Sequence, residues 1–89
     1  MTGFYTWRVG GFARSIYLDG SKTFAMAELE SSLYTKAIKE YSAKNFTFAQ
    51  IDDAFANGYI DQVQYDDTIA LKLAIEPRPL AFVAEEPLI

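Results

Sequence analysis

The sequence has 89 residues, of which 51% are apolar, 16% aromatic and 22% charged, which excludes a disordered chain and fits one domain with one core. The absence of cysteine and histidine excludes disulfide scaffolds, Cys/His zinc sites, thiol nucleophiles and histidine-based acid–base catalysis. The net charge is −4, with +2 in residues 1–45 and −6 in residues 46–89. The sequence contains no run of basic residues, so nucleic-acid binding is not expected. The acidic half either forms a solvated surface or binds a basic partner.

The first predicted element is a β-hairpin near the N terminus. Residues 4–9 and 12–18 are rich in aromatic and β-branched residues, and the Gly10-Gly11 pair between them suits a primed two-residue turn. The aromatic side chains of this segment are expected to pack on helices, and a stacking platform for bases or sugars is the alternative. A turn is predicted at Asp19-Gly20-Ser21.

Residues 24–43 are predicted to form one long amphipathic helix. Leu29, Leu33, Ala37 and Tyr41 recur every four residues and define an apolar ridge, and polar residues fill most of the remaining positions. We expect this ridge to face the core.

Residues 47–75 are predicted to form two capped helices joined by a glycine turn. Each helix begins with a Thr or Asp at the N-cap and a Gln three residues later, which is a capping box. A glycine stands at the C′ position of the first helix, and Pro77 forbids continuation of the second. The residues with structural roles in this unit are Thr47, Gln50, Gly58, Asp61 and Gln64.

An extended tail over residues 77–89 is predicted to follow a single small α+β domain over residues 1–76. Three prolines among these 13 residues disfavour a helix, yet the tail is rich in apolar side chains. We expect the tail to bind a protein surface, either on its own domain or on another chain. The residues predicted to make this contact are Leu80, Phe82, Val83, Leu88 and Ile89.

No catalytic, cofactor-binding or metal-binding residues are predicted. Adjacent carboxylates such as Asp52-Asp53 and Asp66-Asp67 diverge by about 100° on a helix, so they do not converge on one ion. Ser32 and Lys36, one helical turn apart, form a conceivable nucleophile and base, but both belong to the polar face of their predicted helix. We therefore predict that the protein is not an enzyme.

A distinctive pattern extends across the two capped helices: Phe46-Thr47-x-x-Gln50-Ile51-x-x-Ala54-Phe55-x-x-Gly58-x-Ile60-Asp61-x-x-x-Tyr65-x-x-Ile69. Over about residues 41–70 the chain resembles the short XkdX-type proteins of tailed phages and defective prophages. The resemblance implies a small protein encoded among phage tail genes, and it brings no catalytic residues.

Together these features predict a non-enzymatic structural or adaptor protein of a phage tail or baseplate. It is expected to bind copies of itself and larger tail proteins, without nucleic acid, membrane or cofactor. The alternative is a small acidic inhibitor or regulator that binds a basic protein surface. Residues 1–11 lack a signal-peptide pattern, and no apolar stretch approaches the roughly 20 residues that span a bilayer. The predicted location is the virion, assembled in the host cytoplasm.

Overall fold

The computed structural model describes residues 4–78, and every regular element in that range is helical. No β-strand occurs there, so the predicted α+β fold class is wrong. In chain order the elements are α1 (Thr6–Arg14), continued by a π-helical segment (Ser15–Asp19), α2 (Phe24–Glu30), α3 (Leu33–Asn45), α4 (Phe48–Ala56) and α5 (Gln62–Ile75).

The segment predicted to form a β-hairpin is instead α1 and its π-helical continuation. Strand alternation would divide the buried side chains of this segment between two faces, whereas helical periodicity places them on one face against the core. These side chains are Val9, Phe12, Ala13, Ile16 and Tyr17. Gly10 and Gly11 lie inside α1 without positive φ, so the predicted glycine turn does not form.

The long helix predicted over residues 24–43 is divided into α2 and α3. Ser31 interrupts it with an extended backbone (φ −168°, ψ 135°), and its hydroxyl accepts a hydrogen bond from the Leu33 N–H at 3.2 Å. Serine side chains compete with the helical backbone in this way. The predicted ridge is therefore wrong in its first half: Leu29 is 82% exposed and Leu33 62% exposed, whereas Tyr34 is fully buried.

The predicted capped helices are confirmed as α4 and α5. At each start the N-cap side chain accepts the N–H of the Gln three residues later, and the Gln side chain accepts the N-cap N–H. These distances are 3.1 and 2.9 Å for Thr47 with Gln50, and 2.8 and 2.9 Å for Asp61 with Gln64.

The glycine turn between α4 and α5 is also confirmed. Gly58 has a φ of +78°, in the left-handed region that favours glycine. Its N–H donates to the Phe55 carbonyl at 3.0 Å, and the Tyr59 N–H donates to the Ala54 carbonyl at 2.9 Å. This pair of bonds is a Schellman motif, which satisfies carbonyls that the end of α4 would otherwise leave unpaired.

The core lies around α3, which packs along α1 on one side and along α5 on the other. A buried polar contact joins the π-helical segment to α5: the Tyr17 hydroxyl donates to Thr68 Oγ1 at 2.6 Å, and Thr68 donates to the Gln64 carbonyl at 2.7 Å. Burial raises the pKa of Tyr17 to about 12, although the Thr68 contact acts in the opposite direction. Tyr17 therefore remains a neutral donor at physiological pH.

The last described helix ends at Ile75, one residue before the predicted domain boundary. Of the predicted tail, only Pro77 and Arg78 belong to the described residues. The five predicted contact residues, Leu80, Phe82, Val83, Leu88 and Ile89, lie outside them.

Candidate functional site

The paired carboxylates diverge, as the helical spacing predicts. Asp66 accepts a hydrogen bond from Gln62 at 2.8 Å, whereas its neighbour Asp67 pairs with Lys39 of α3 at 2.6 Å. Within residues 4–78, no group of three or more His, Cys, Asp or Glu side chains is placed to hold a metal ion. No helix in that range is long and apolar enough to cross a membrane.

Side chains of α4 and α5 hold Arg78, the last described residue, in place. We call this cluster the Arg78 anchor, and it consists of Phe48, Asp52, Tyr65 and Arg78. Both terminal nitrogens of Arg78 donate to Asp52, and the guanidinium lies 4.9 Å from the centroid of the Phe48 ring. The Tyr65 hydroxyl donates to Asp52 at 2.6 Å. Arg78 therefore lies against α4.

Electrostatics reinforce the Arg78 anchor. Burial opposes ionisation of Asp52, but the hydrogen bonds from Arg78 and Tyr65 outweigh it and lower the pKa of that carboxyl below its ordinary value. The same hydrogen bonds to Asp52 raise the pKa of Tyr65 and of Arg78. The ion pair is charged at neutral pH. Its partners are 26 residues apart, so no local sequence pattern predicts it.

α1 and α2 run antiparallel at the surface of the bundle. Arg8, near the start of α1, pairs with Glu30 at the end of α2. At the opposite end Tyr17 packs edge-to-face against Phe24, with ring centroids 5.9 Å apart.

Two large exposed side chains stand next in sequence to the residues of the Arg8–Glu30 ion pair. Trp7 and Leu29 each precede a pairing residue by one position, so each is turned about 100° from the contact. Trp7 is 77% exposed and Leu29 is 82% exposed.

Two further apolar side chains extend this exposed surface. Met26 lies about one turn before Leu29 and is 48% exposed, and the ring of Tyr5 is 6.1 Å from the ring of Trp7. We call this surface the α1–α2 patch: Tyr5, Trp7, Met26 and Leu29. Contiguous exposed apolar surface is typical of interaction sites, whereas isolated exposed apolar residues are ordinary.

The sequence analysis missed the α1–α2 patch because it assigned Trp7 to a hairpin and Leu29 to a buried ridge. The signal that would have found Trp7 is the helical period of the buried residues from Val9 to Tyr17, which leaves Trp7 on the opposite face.

An open groove of about 570 Å³ lies between α3 and α5. Ala70 and Leu71 of α5 line one side, and Lys36 and Lys39 of α3 line the other. Ser32 also lines it, so the conceivable nucleophile and base of the sequence analysis face the same open groove.

The predicted structural residues all lie in the α4–Gly58–α5 unit, where they cap and connect the two helices. Comparison of the chain with protein-family models, with curated proteins and with solved structures finds no match.

Proposed function

We propose that this chain is a non-enzymatic structural or adaptor protein of a phage virion, located in the tail or baseplate. It acts through contacts with copies of itself and with larger tail proteins. The observation that carries the proposal is the α1–α2 patch, where Trp7 and Leu29, each next to a residue of the Arg8–Glu30 ion pair, are mostly exposed. Burying side chains of this size contributes about 1.5–3 kcal/mol each, so a partner surface gains stability by covering them.

The virion context rests on the resemblance of residues 41–70 to XkdX-type proteins. The N-cap Thr, the glycine and the N-cap Asp of that pattern start or end a helix in this chain. The pattern therefore describes a folded two-helix unit, which is a suitable element for a small assembly protein.

The alternative, an acidic inhibitor or regulator, is favoured by the charge of the α4–α5 region. Asp53, Asp61 and Asp66 are all exposed there. Contacts of this kind weaken as ionic strength rises, whereas apolar contacts persist or tighten. Salt dependence therefore separates the two functions.

The test is co-sedimentation of the tagged chain with phage or prophage particles from the cells that encode it, at low and at high salt. The intact chain is expected in the particle fraction at both salt concentrations, and the double variant Trp7→Ser/Leu29→Ser is expected to be lost from it. Leu73→Ser is the matched control, because Leu73 is 49% exposed but lies on α5, outside the patch. Absence of the intact chain from particles, or its release by salt, would contradict the proposal.

A further inference from the structure

The groove between α3 and α5 continues toward the C-terminal end of α5. A second depression of about 340 Å³ adjoins the first, and Leu71 lines both. Ala74 and Ile75 line this second part, and Ile75 is 54% exposed. The residues of α5 that line the groove between positions 70 and 75 are therefore all apolar: Ala70, Leu71, Ala74 and Ile75.

The α3 wall of the groove is predominantly basic. Lys36, Lys39 and Lys44 line it, together with Glu40, while Asp67 of α5 pairs with Lys39 across the groove. The three lysines and two acidic residues give the groove a net charge of +1, whereas the net charge of the chain is −4. An apolar segment with acidic residues complements such a surface.

The chain itself contains a segment of that composition, outside the described residues. Leu80-Ala81-Phe82-Val83 is apolar, and Glu85-Glu86 follows almost at once. Four extended residues span about 13 Å. The groove wall from Asp67 to Ile75 rises eight residues along α5, which is about 12 Å. The apolar segment therefore matches the groove in length, and the two glutamates that follow it are opposite in charge to the lysines of the groove.

The Arg78 anchor holds the last described residue before this segment against α4. Tyr65 faces α4, where it bonds Asp52, and Asp67 faces the groove, where it bonds Lys39. Residues two apart on a helix diverge by about 200°, so α4 and the groove lie on opposite sides of α5. Arg78, which bonds Asp52, is therefore held on the side of α5 opposite the groove.

We infer that the α3–α5 groove binds the segment from Leu80 to Glu86 of a second copy of this chain. This inference rests on the proposed function, since it specifies how copies of an assembly protein join. The contact is heterologous, because each copy uses its groove for one neighbour and its segment for another. Such contacts build rings or filaments rather than closed two-fold dimers.

The chain contains no cysteine, so single introduced cysteines report specific contacts. Two differently tagged full-length chains, one with Ala74→Cys and one with Val83→Cys, are mixed and oxidised. A disulfide between the two tags is expected, because bound segments bring these positions within bonding distance. Replacing Ala74→Cys by Leu73→Cys is the matched control: Leu73 is also exposed but does not line the groove, and loss of the cross-link is expected.

Two results would overturn the inference. One is equal cross-linking at positions 73 and 74. The other is an intramolecular disulfide in the doubly substituted Ala74→Cys/Val83→Cys chain at dilutions where it is monomeric, which would place the segment in its own groove. Self-association without the cross-link from position 74 to position 83 would refute this site alone, whereas an intact chain that neither self-associates nor enters particles would refute the proposed function itself.

Discussion

Gly10 and Gly11 are neighbours in α1 with different surroundings. A Cβ at Gly11 would meet no atom within 4 Å, whereas a Cβ at Gly10 would lie 3.0 Å from the Tyr41 hydroxyl oxygen. That hydroxyl accepts a hydrogen bond from Arg14 at 2.9 Å. Gly10 is thus used where α1 approaches α3 closely, and Gly11 has no such role.

This difference predicts opposite responses to alanine. Glycine within a helix is about 0.5–1 kcal/mol less favourable than alanine, so Gly11→Ala should raise the free energy of unfolding by about that amount. Gly10→Ala should gain less or lose stability, because Tyr41 must shift. Urea unfolding of both variants measures this. Destabilisation by Gly11→Ala would indicate a positive-φ turn at that position and contradict α1.

Asp52 gives the fold a specific dependence on acid. Because its pKa is lowered in the folded state, the stability it contributes is present above its ordinary value of 3.8 and is lost as the pH falls through the lowered pKa. The intact chain should therefore lose more stability below pH 3.8 than Asp52→Asn does. Thermal unfolding of both proteins over the acid range measures the difference, and parallel curves would show that the Arg78 anchor is not formed.

At the scale of elements, the two capping boxes offer matched substitutions. Thr47→Ala and Asp61→Ala each remove the acceptor for a helix-start N–H and should lower the free energy of unfolding by about 1 kcal/mol. Ser32→Ala is the control, because the Ser32 side chain makes no capping hydrogen bond at the start of α3. Urea unfolding should show a clear loss for the first two variants only. An equal loss for all three would contradict the helix starts described above.

The same elements show why α4 and α5 could be predicted from the sequence. Their signals are local: a capping residue, a Gln three positions later and a glycine at the helix end act on backbone groups within one turn. The sequence signal for a helix boundary at Ser31 is weaker, because a serine pair inside a periodic pattern is tolerated in many helices. Its effect depends on how Tyr34 and Phe24 pack in the core.

The N-terminal segment could not be assigned by propensity. Its aromatic and β-branched residues favour strands, and Gly10-Gly11 favours a turn, but burying Val9, Phe12 and Ile16 against α3 outweighs both. Tertiary packing also determines the α1–α2 patch, the groove and the Arg78 anchor. These sites join residues from different elements, so no local pattern in the sequence specified them.

On the scale of the whole molecule, we expect the helical bundle to provide the stability of the fold, and the segment after Arg78 to provide the contact between copies. The described core is complete by Lys72, and the Arg78 anchor holds the chain with residues that all precede position 79. Deleting residues 79–89 should therefore leave the melting temperature nearly unchanged. A large fall in melting temperature would show that those residues belong to the core of their own domain.

The most direct test of the central claim, that this chain functions by joining copies of itself through residues 79–89, is its mass in solution. Light scattering across a concentration series should show the mass of the intact chain rising from the 10.0 kDa monomer to larger species. The chain lacking residues 79–89 should remain monomeric at every concentration. An intact chain that stays monomeric throughout, or a truncated chain that assembles equally well, would contradict the claim.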